Sequence, residues 1–334
     1  MRPLGELTKR GQVARLRVLG HAALRSWGME GAELRPLSHS ENTTFDVRSP
    51  RGRFMLRVAR PGYRTDAELE SEVDFLEHLD VAWSGGAAPR PVRAADGAAV
   101  VLAGARGVPE ERRCVLFEWL DGRMCWSSLS PARLRALGRA QASLHDIQAE
   151  FEAPAGFSRP RGTLSNGYPA RWWREADDLP PELVEAFEAA HDVGAPVYEA
   201  LMEEDGAHGL IHMDMHPWNV LFRPGGEVGV IDFDDMTWAP LIMDVVVVVD
   251  SLSSHEDAGA LVGAFIAGYR EVRELPREWL DMLPVLRPHF YVNGVAWLRA
   301  RSEIPALRAR YARYIVEVRA DIERELARAG RALG

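Results

Sequence analysis

The sequence predicts an α+β protein in two parts: a small β-rich part over 1–120 and a larger, mostly helical part over 121–334. Three observations carry that prediction. At 334 residues the chain exceeds the roughly 250–300 residues beyond which one hydrophobic core stops growing, so two cores are expected. The apolar spacing changes from mostly alternating to mostly helical near Asp121-Gly122. The densest polar chemistry falls in one late loop, 209–222, followed by a short strand that ends at Asp232.

Taken in order, 13–27 carries apolar residues at helical spacing and predicts a leading helix. Short runs at 33–37, 43–48 and 54–59 follow, separated by Ser, Asn, Pro and Gly. They predict a three-stranded antiparallel meander with a hairpin turn at 49–52. Over 66–79, Leu69, Val73, Leu76 and Leu79 recur three or four apart, which gives one apolar helical face among acids, and Glu72 lies where it can turn inward. Two more strands are expected at 98–102 and 113–119. Ser130 followed by Pro131 is an N-cap with proline at the first helical position, and it opens a helix over 131–148. Between 175 and 205 stand eleven acidic residues and no Lys or Arg, most simply a solvated helical face. Residues 228–231 read as a short strand and the five valines over 245–249 as part of a buried helix or strand. Helices continue to the end, and the Arg-rich 299–328 alternates with Ala, Leu, Tyr and Glu as a surface helix with internal ion pairs would.

Composition narrows the function. With 47% hydrophobic and 27% charged residues the chain can build sizeable cores. A net charge of -9 opposes a nucleic-acid partner, because such binding rests on Lys and Arg displacing counterions from phosphates. No apolar run approaches the roughly 20 residues needed to cross a bilayer, and the opening MRPLGELTKRGQV has no apolar signal core, so a soluble cytoplasmic protein is expected. Cys114 and Cys125 form neither a metal spacing nor a disulfide framework. The 40 basic residues are 39 arginines and Lys9, so any role that wants a lysine elsewhere falls to arginine.

The informative stretch is His212-Met-Asp214-Met-His-Pro-Trp-Asn219, followed by Val230-Ile-Asp232-Phe233-Asp234. It satisfies H-x-D-x-x-x-x-N and then D-F, the arrangement that phosphoryl transfer needs on a catalytic loop and an adjacent strand end. A carboxylate must orient the attacking hydroxyl, which suits Asp214. Hard oxygen ligands must hold a metal on the phosphates, which suits the Asn219 amide and the Asp232 carboxylate.

With these motifs the sequence resembles the aminoglycoside phosphotransferase and choline kinase-like family, nearest the branch of the stress response kinase and type II homoserine kinases. The resemblance runs over 37–301. Its tokens are HMDMHPWNVLF from His212, VIDFDDM from Val230 with Asp244 after it, and AFIAGYREV from Ala264. It implies a two-lobed protein-kinase-like fold, ATP, magnesium and a hydroxyl-bearing acceptor, with a small molecule favoured over a protein. It further implies Asp214 as catalytic base, Asn219 and Asp232 as magnesium ligands, and Glu118, Trp119 and Leu120 as the hinge whose backbone meets adenine. Asp234 is implied as a further carboxylate, of the metal site or of the substrate side.

There are departures from the family's pattern. Where its third strand often places a phosphate-gripping lysine, this chain reads Phe54-Met-Leu-Arg57-Val58, so the cation would be Arg57 paired with Glu72. Arginine binds phosphate bidentately, but its fork is not interchangeable with an ammonium. The phosphate loop Ser38-His-Ser40-Glu-Asn42-Thr43 lacks glycine, leaving hydroxyls such as Ser40 and backbone amides to cover the phosphates. Met213 stands where many relatives have glycine. Three other readings compete: a zinc hydrolase on His212, Asp214 and His216, a pseudokinase motivated by Arg57, and a protein Ser/Thr kinase of the stress-response type. Tyr168, Trp172, Trp173, Trp238, Tyr291 and Trp297 could line an acceptor cleft, though aromatic residues at such spacings more often pack helices.

Overall fold

The computed structural model describes residues 3–162 and 171–332. The chain forms two compact units. The first comprises Met1–Arg123, Glu152–Arg159 and Arg223–Asp234, and the second Met124–Phe151, Pro160–Phe222 and Asp235–Gly334.

In the first unit the helix α1 (Lys9–Ala23) precedes the strands β1 (Glu33–His39), β2 (Thr43–Ser49) and β3 (Gly52–Val58). Then follow α2 (Asp66–Ala82), β4 (Pro91–Val92), β5 (Val101–Ala103) and β6 (Arg112–Glu118). The sheet runs β1-β2-β3-β6-β4 with β5 also on β6, and every pairing is antiparallel. The predicted meander is therefore present, and its register sets Arg57 between Thr44 and Val115. The inward side chains Phe45, Val47, Leu56 and Leu116 meet Leu19 and Leu24 of the leading helix in one core. α2 starts at a capping box in which Thr65 and Glu68 each accept from the other's backbone N–H. Its predicted face, Leu69, Val73, Leu76 and Leu79, is buried, and Glu72 is buried with it.

The second unit is helical. α3 (Pro131–Glu150) begins with the Ser130 hydroxyl accepting from the Arg133 N–H. After it come α4 (Pro181–Glu203), the strand β7 (His208–Ile211), and the helices α5 (Ile242–Leu252), α6 (Ala258–Arg270), α7 (Arg277–Asp281), α8 (Leu283–Arg299) and α9 (Pro305–Ala332). α3 and α6 cross at glycines: a Cβ on Gly138 would stand 2.1 Å from the Phe265 carbonyl, and one on Gly268 2.0 Å from that of Arg135. Four of the five valines of α5 are buried helix, and Val249 is half-buried.

Several expectations shift. The stretch 209–222 is not all loop, because Gly209, Leu210 and Ile211 pair as strand with the strand Thr237–Pro240. Leu210 and Ile211 are fully buried, and so short an apolar run carries no period. The strand expected at 98–102 is confined to Val101–Ala103, and Pro91–Val92 is too brief to leave a pattern. Trp172, Trp173 and Tyr291 close a helical core with Phe187, and Trp297 packs against it, so they hold helices together rather than frame an open cleft. Tyr168 lies outside the described residues. The acidic run is mostly exposed, as a solvated face would be, with a few of its members paired: Glu188 accepts from Arg174 and from Trp173 Nε1, which lowers its pKa to about 2, and Asp178 accepts from Arg299. No described helix is long and apolar enough to cross a membrane.

Candidate active site

In the first unit β3 and α2 bring Arg57 and Glu72 together as a buried two-point pair, with Nη1 to Oε1 at 2.9 Å and Nη2 to Oε2 at 2.5 Å. Burial opposes the Arg57 charge, but Glu72 and Asp234 outweigh it and raise the guanidinium pKa above its usual value. Asp232 also stabilises that charge. The exposed Asp232 takes φ 67°, and the following turn buries Asp234. The Asp234 carboxylate accepts from Asn42 Nδ2 at 2.9 Å and lies 3.5 Å from Arg64. Burial alone would raise its pKa, yet Arg57 and Arg64 lower it, so Asp234 stays ionised. Asn42 belongs to the glycine-free loop 38–43, and its Oδ1 also accepts from the Arg60 N–H.

Ser40 sits exposed at the tip of that loop, its N–H donating to the Asn42 carbonyl. At the proposed hinge, the N–H of the exposed Glu118 donates to the Arg90 carbonyl and that of Trp119 to the Arg53 carbonyl. The Arg53 guanidinium lies 3.4 Å from the Trp119 ring centre. Leu120 is half-buried.

In the second unit the loop after β7 carries Asp214 and Asn219. Asn219 Nδ2 donates to the Asp214 carbonyl at 2.9 Å and to its Oδ2 at 2.8 Å. Both partners can only accept, so the donor end of the amide is fixed there and Oδ1 is its acceptor end. The Asn219 amide oxygen in the second unit and the Asp232 carboxylate in the first are each hard oxygen donors of the kind a divalent cation takes. His216 Nε2 lies 3.4 Å from Asp214 Oδ1, and burial pushes its pKa down to about 4, so it adds no positive charge beside that carboxylate at neutral pH. The exposed Trp218 stacks on Trp126, with ring centres 3.7 Å apart. His212 is buried and its Nδ1 accepts the Asp214 N–H. Among the described residues no three His, Cys, Asp or Glu are grouped to hold a metal ion, which leaves the zinc alternative without its ligand set.

The sequence reading missed what holds this loop. Met213 is buried at φ 64°, a conformation that costs a non-glycine residue roughly 1–2 kcal/mol. Asp244, fully buried on α5, accepts the Met213 N–H on Oδ1 at 2.6 Å and the His212 N–H on Oδ2 at 3.1 Å. His145 Nε2 meets the same Oδ2 at 3.2 Å. With that ring proton facing the carboxylate, Nδ1 accepts the Tyr269 hydroxyl at 2.7 Å. Asp244 was visible in the sequence only as a token with no role, and neither His145 nor Tyr269 carries a local signal.

The sequence profile of the phosphotransferase enzyme family matches residues 33–280. An uncharacterized protein of Deinococcus radiodurans is 32% identical, covering 81% of this chain and 77% of its own. A homoserine kinase of Chelativorans sp. is 29% identical over 74% of this chain and 73% of that one. Among solved structures, the microcompartment-associated aminopropanol kinase has a TM-score of 0.80 at 28% identity, covering 94% of this chain and 98% of the other.

Proposed function

This chain belongs to the phosphotransferase enzyme family, and from that premise we propose how its residues divide the work. It is an α+β protein of protein-kinase-like fold and a kinase that acts on an alcohol group of a small molecule. The relatives named homoserine kinase and aminopropanol kinase support a small amino alcohol as acceptor and ATP as donor.

Asp214 accepts and aligns the acceptor hydroxyl for in-line attack on the γ-phosphate. Asn219 and Asp232 hold magnesium, which when bound neutralises phosphate charge during transfer. Arg57, fixed by Glu72, faces the phosphates, and Ser40 covers them. Backbone groups of Glu118, Trp119 and Leu120 meet adenine. In this reading 1–120 supplies the nucleotide side, and 121–334 supplies the catalytic loop, both metal ligands and the acceptor side. The observation that carries it is the Asn219 amide clamped on Asp214, which sets the base and turns a ligand oxygen with one side chain.

The test incubates γ-phosphate-labelled ATP and magnesium with the protein and a cell extract resolved into small-molecule and protein fractions. Label should enter the small-molecule fraction with the wild type and not with Asp214→Ala. Label on protein alone would overturn the small-molecule reading.

A further inference from the structure

Arg159 lies in Glu152–Arg159, a stretch with no secondary-structure signal that packs within the first unit. It is 7% exposed, and its guanidinium donates to main-chain oxygens on both sides of it. Nη1 reaches the Glu68 carbonyl in α2 at 3.1 Å. Nη2 reaches the carbonyls of Asp234 at 2.5 Å and Phe233 at 3.4 Å. Next to it the Ser158 N–H donates to Ser71 Oγ at 2.7 Å, and that hydroxyl donates to the Ala67 carbonyl. The strap therefore ties the early turns of α2 to the turn that follows Asp232.

Removing a guanidinium from water costs several kcal/mol, and burial does lower the pKa of Arg159, opposed by the nearby Glu72 and Asp234. Apolar packing gives no reason to place a cation here. The turn gives one. Asp232 takes a left-handed φ that a non-glycine residue keeps only when its surroundings impose it, and the next two carbonyls are those that Arg159 binds. α2 carries Glu72, the partner of Arg57, so one buried side chain joins the helix behind the phosphate cation to the turn behind the metal carboxylate.

We propose that Arg159 is a positioning residue, which holds the Asp232 turn against α2 so that the Asp232 carboxylate is presented to magnesium in one orientation. The inference rests on the phosphotransferase reading and assigns a duty to a residue outside both motifs. Outer partners of metal ligands typically change metal affinity by about 10–100-fold when removed.

The experiment measures ATP affinity of the full chain by calorimetry, with magnesium and with a chelator, for the wild type, Arg159→Ala and Arg159→Lys. In Arg159→Ala the magnesium-dependent tightening should shrink about tenfold or more, while metal-free affinity stays within about twofold. Arg159→Lys should fall between, and low millimolar guanidinium ion should restore Arg159→Ala by filling the vacated site. The proposal is overturned if Arg159→Ala keeps the wild-type tightening, or if both affinities fall alike. Should Arg159→Ala not fold, the same two affinities of Arg159→Lys decide. No magnesium-dependent ATP binding by the wild type would overturn the reading beneath it instead.

Discussion

Met213 and Asp232 both pass through the left-handed region of backbone space within the two motif loops, and opposite charges hold them. At Met213 a buried carboxylate, Asp244, accepts successive backbone N–H groups. At Asp232 a buried guanidinium, Arg159, donates to the two carbonyls that follow. The difference follows from which backbone groups each turn leaves unpaired, since a buried N–H needs an acceptor and a buried C=O a donor. It also separates the means of support. The carboxylate is itself backed by His145 and Tyr269, whereas the guanidinium ties into α2 and lies among Glu72, Asp234 and Arg64.

The sharpest way to break the loop side of this comparison is Asp244→Asn. The amide keeps one acceptor oxygen and turns a donor towards the other N–H, so one buried donor is unmet at roughly 1–3 kcal/mol. A fall in melting temperature with a fall in turnover is expected; wild-type values for both would mean that Asp244 does not hold the loop.

A smaller effect distinguishes the two corners by substitution. At both positions glycine removes left-handed strain and alanine keeps it, so Met213→Gly should be more stable than Met213→Ala by about 1 kcal/mol, reversing the order usual in helices. Asp232→Gly against Asp232→Ala should show less, because Asp232 is exposed and an alanine there can relax more than one at the buried Met213. Chemical denaturation of the four variants measures both differences, and alanine equal to glycine at 213 would remove the strain argument.

The smallest effect is of pH. His216 has its pKa lowered from 6.5 to about 4, so the unfolded chain binds more protons between those values and loop stability falls as pH drops through them. Asp234 is also lowered, from 3.8, so its contribution is present above 3.8 and is lost only at more acid pH. Amide exchange corrected for its intrinsic rate should therefore quicken over 212–219 between pH 6.5 and 4.5 while 231–236 stays unchanged. The reverse pattern would contradict the assignment.

Much of this was legible in the sequence. The meander, the apolar face of α2, the Ser130 cap and the order of motif residues are local patterns, and each set its element within a few residues. The supports were not legible, because they join residues far apart in sequence. His145 meets Asp244 across 99 positions, and Arg159 meets Asp234 across 75, with no period or motif to mark either. Met213 was visible as a departure from glycine, but its φ was not. The pairing of Gly209 to Ile211 was lost for a simpler reason, since three strand residues beside a polar loop look like part of it.

The central claim is that the Asp214 carboxylate performs the transfer while other residues bind the nucleotide. Its most direct measurement is turnover of Asp214→Ala beside its magnesium–ATP affinity. A rate lower by about 10²–10⁴-fold with affinity within about twofold is predicted; a rate near that of the wild type would contradict it.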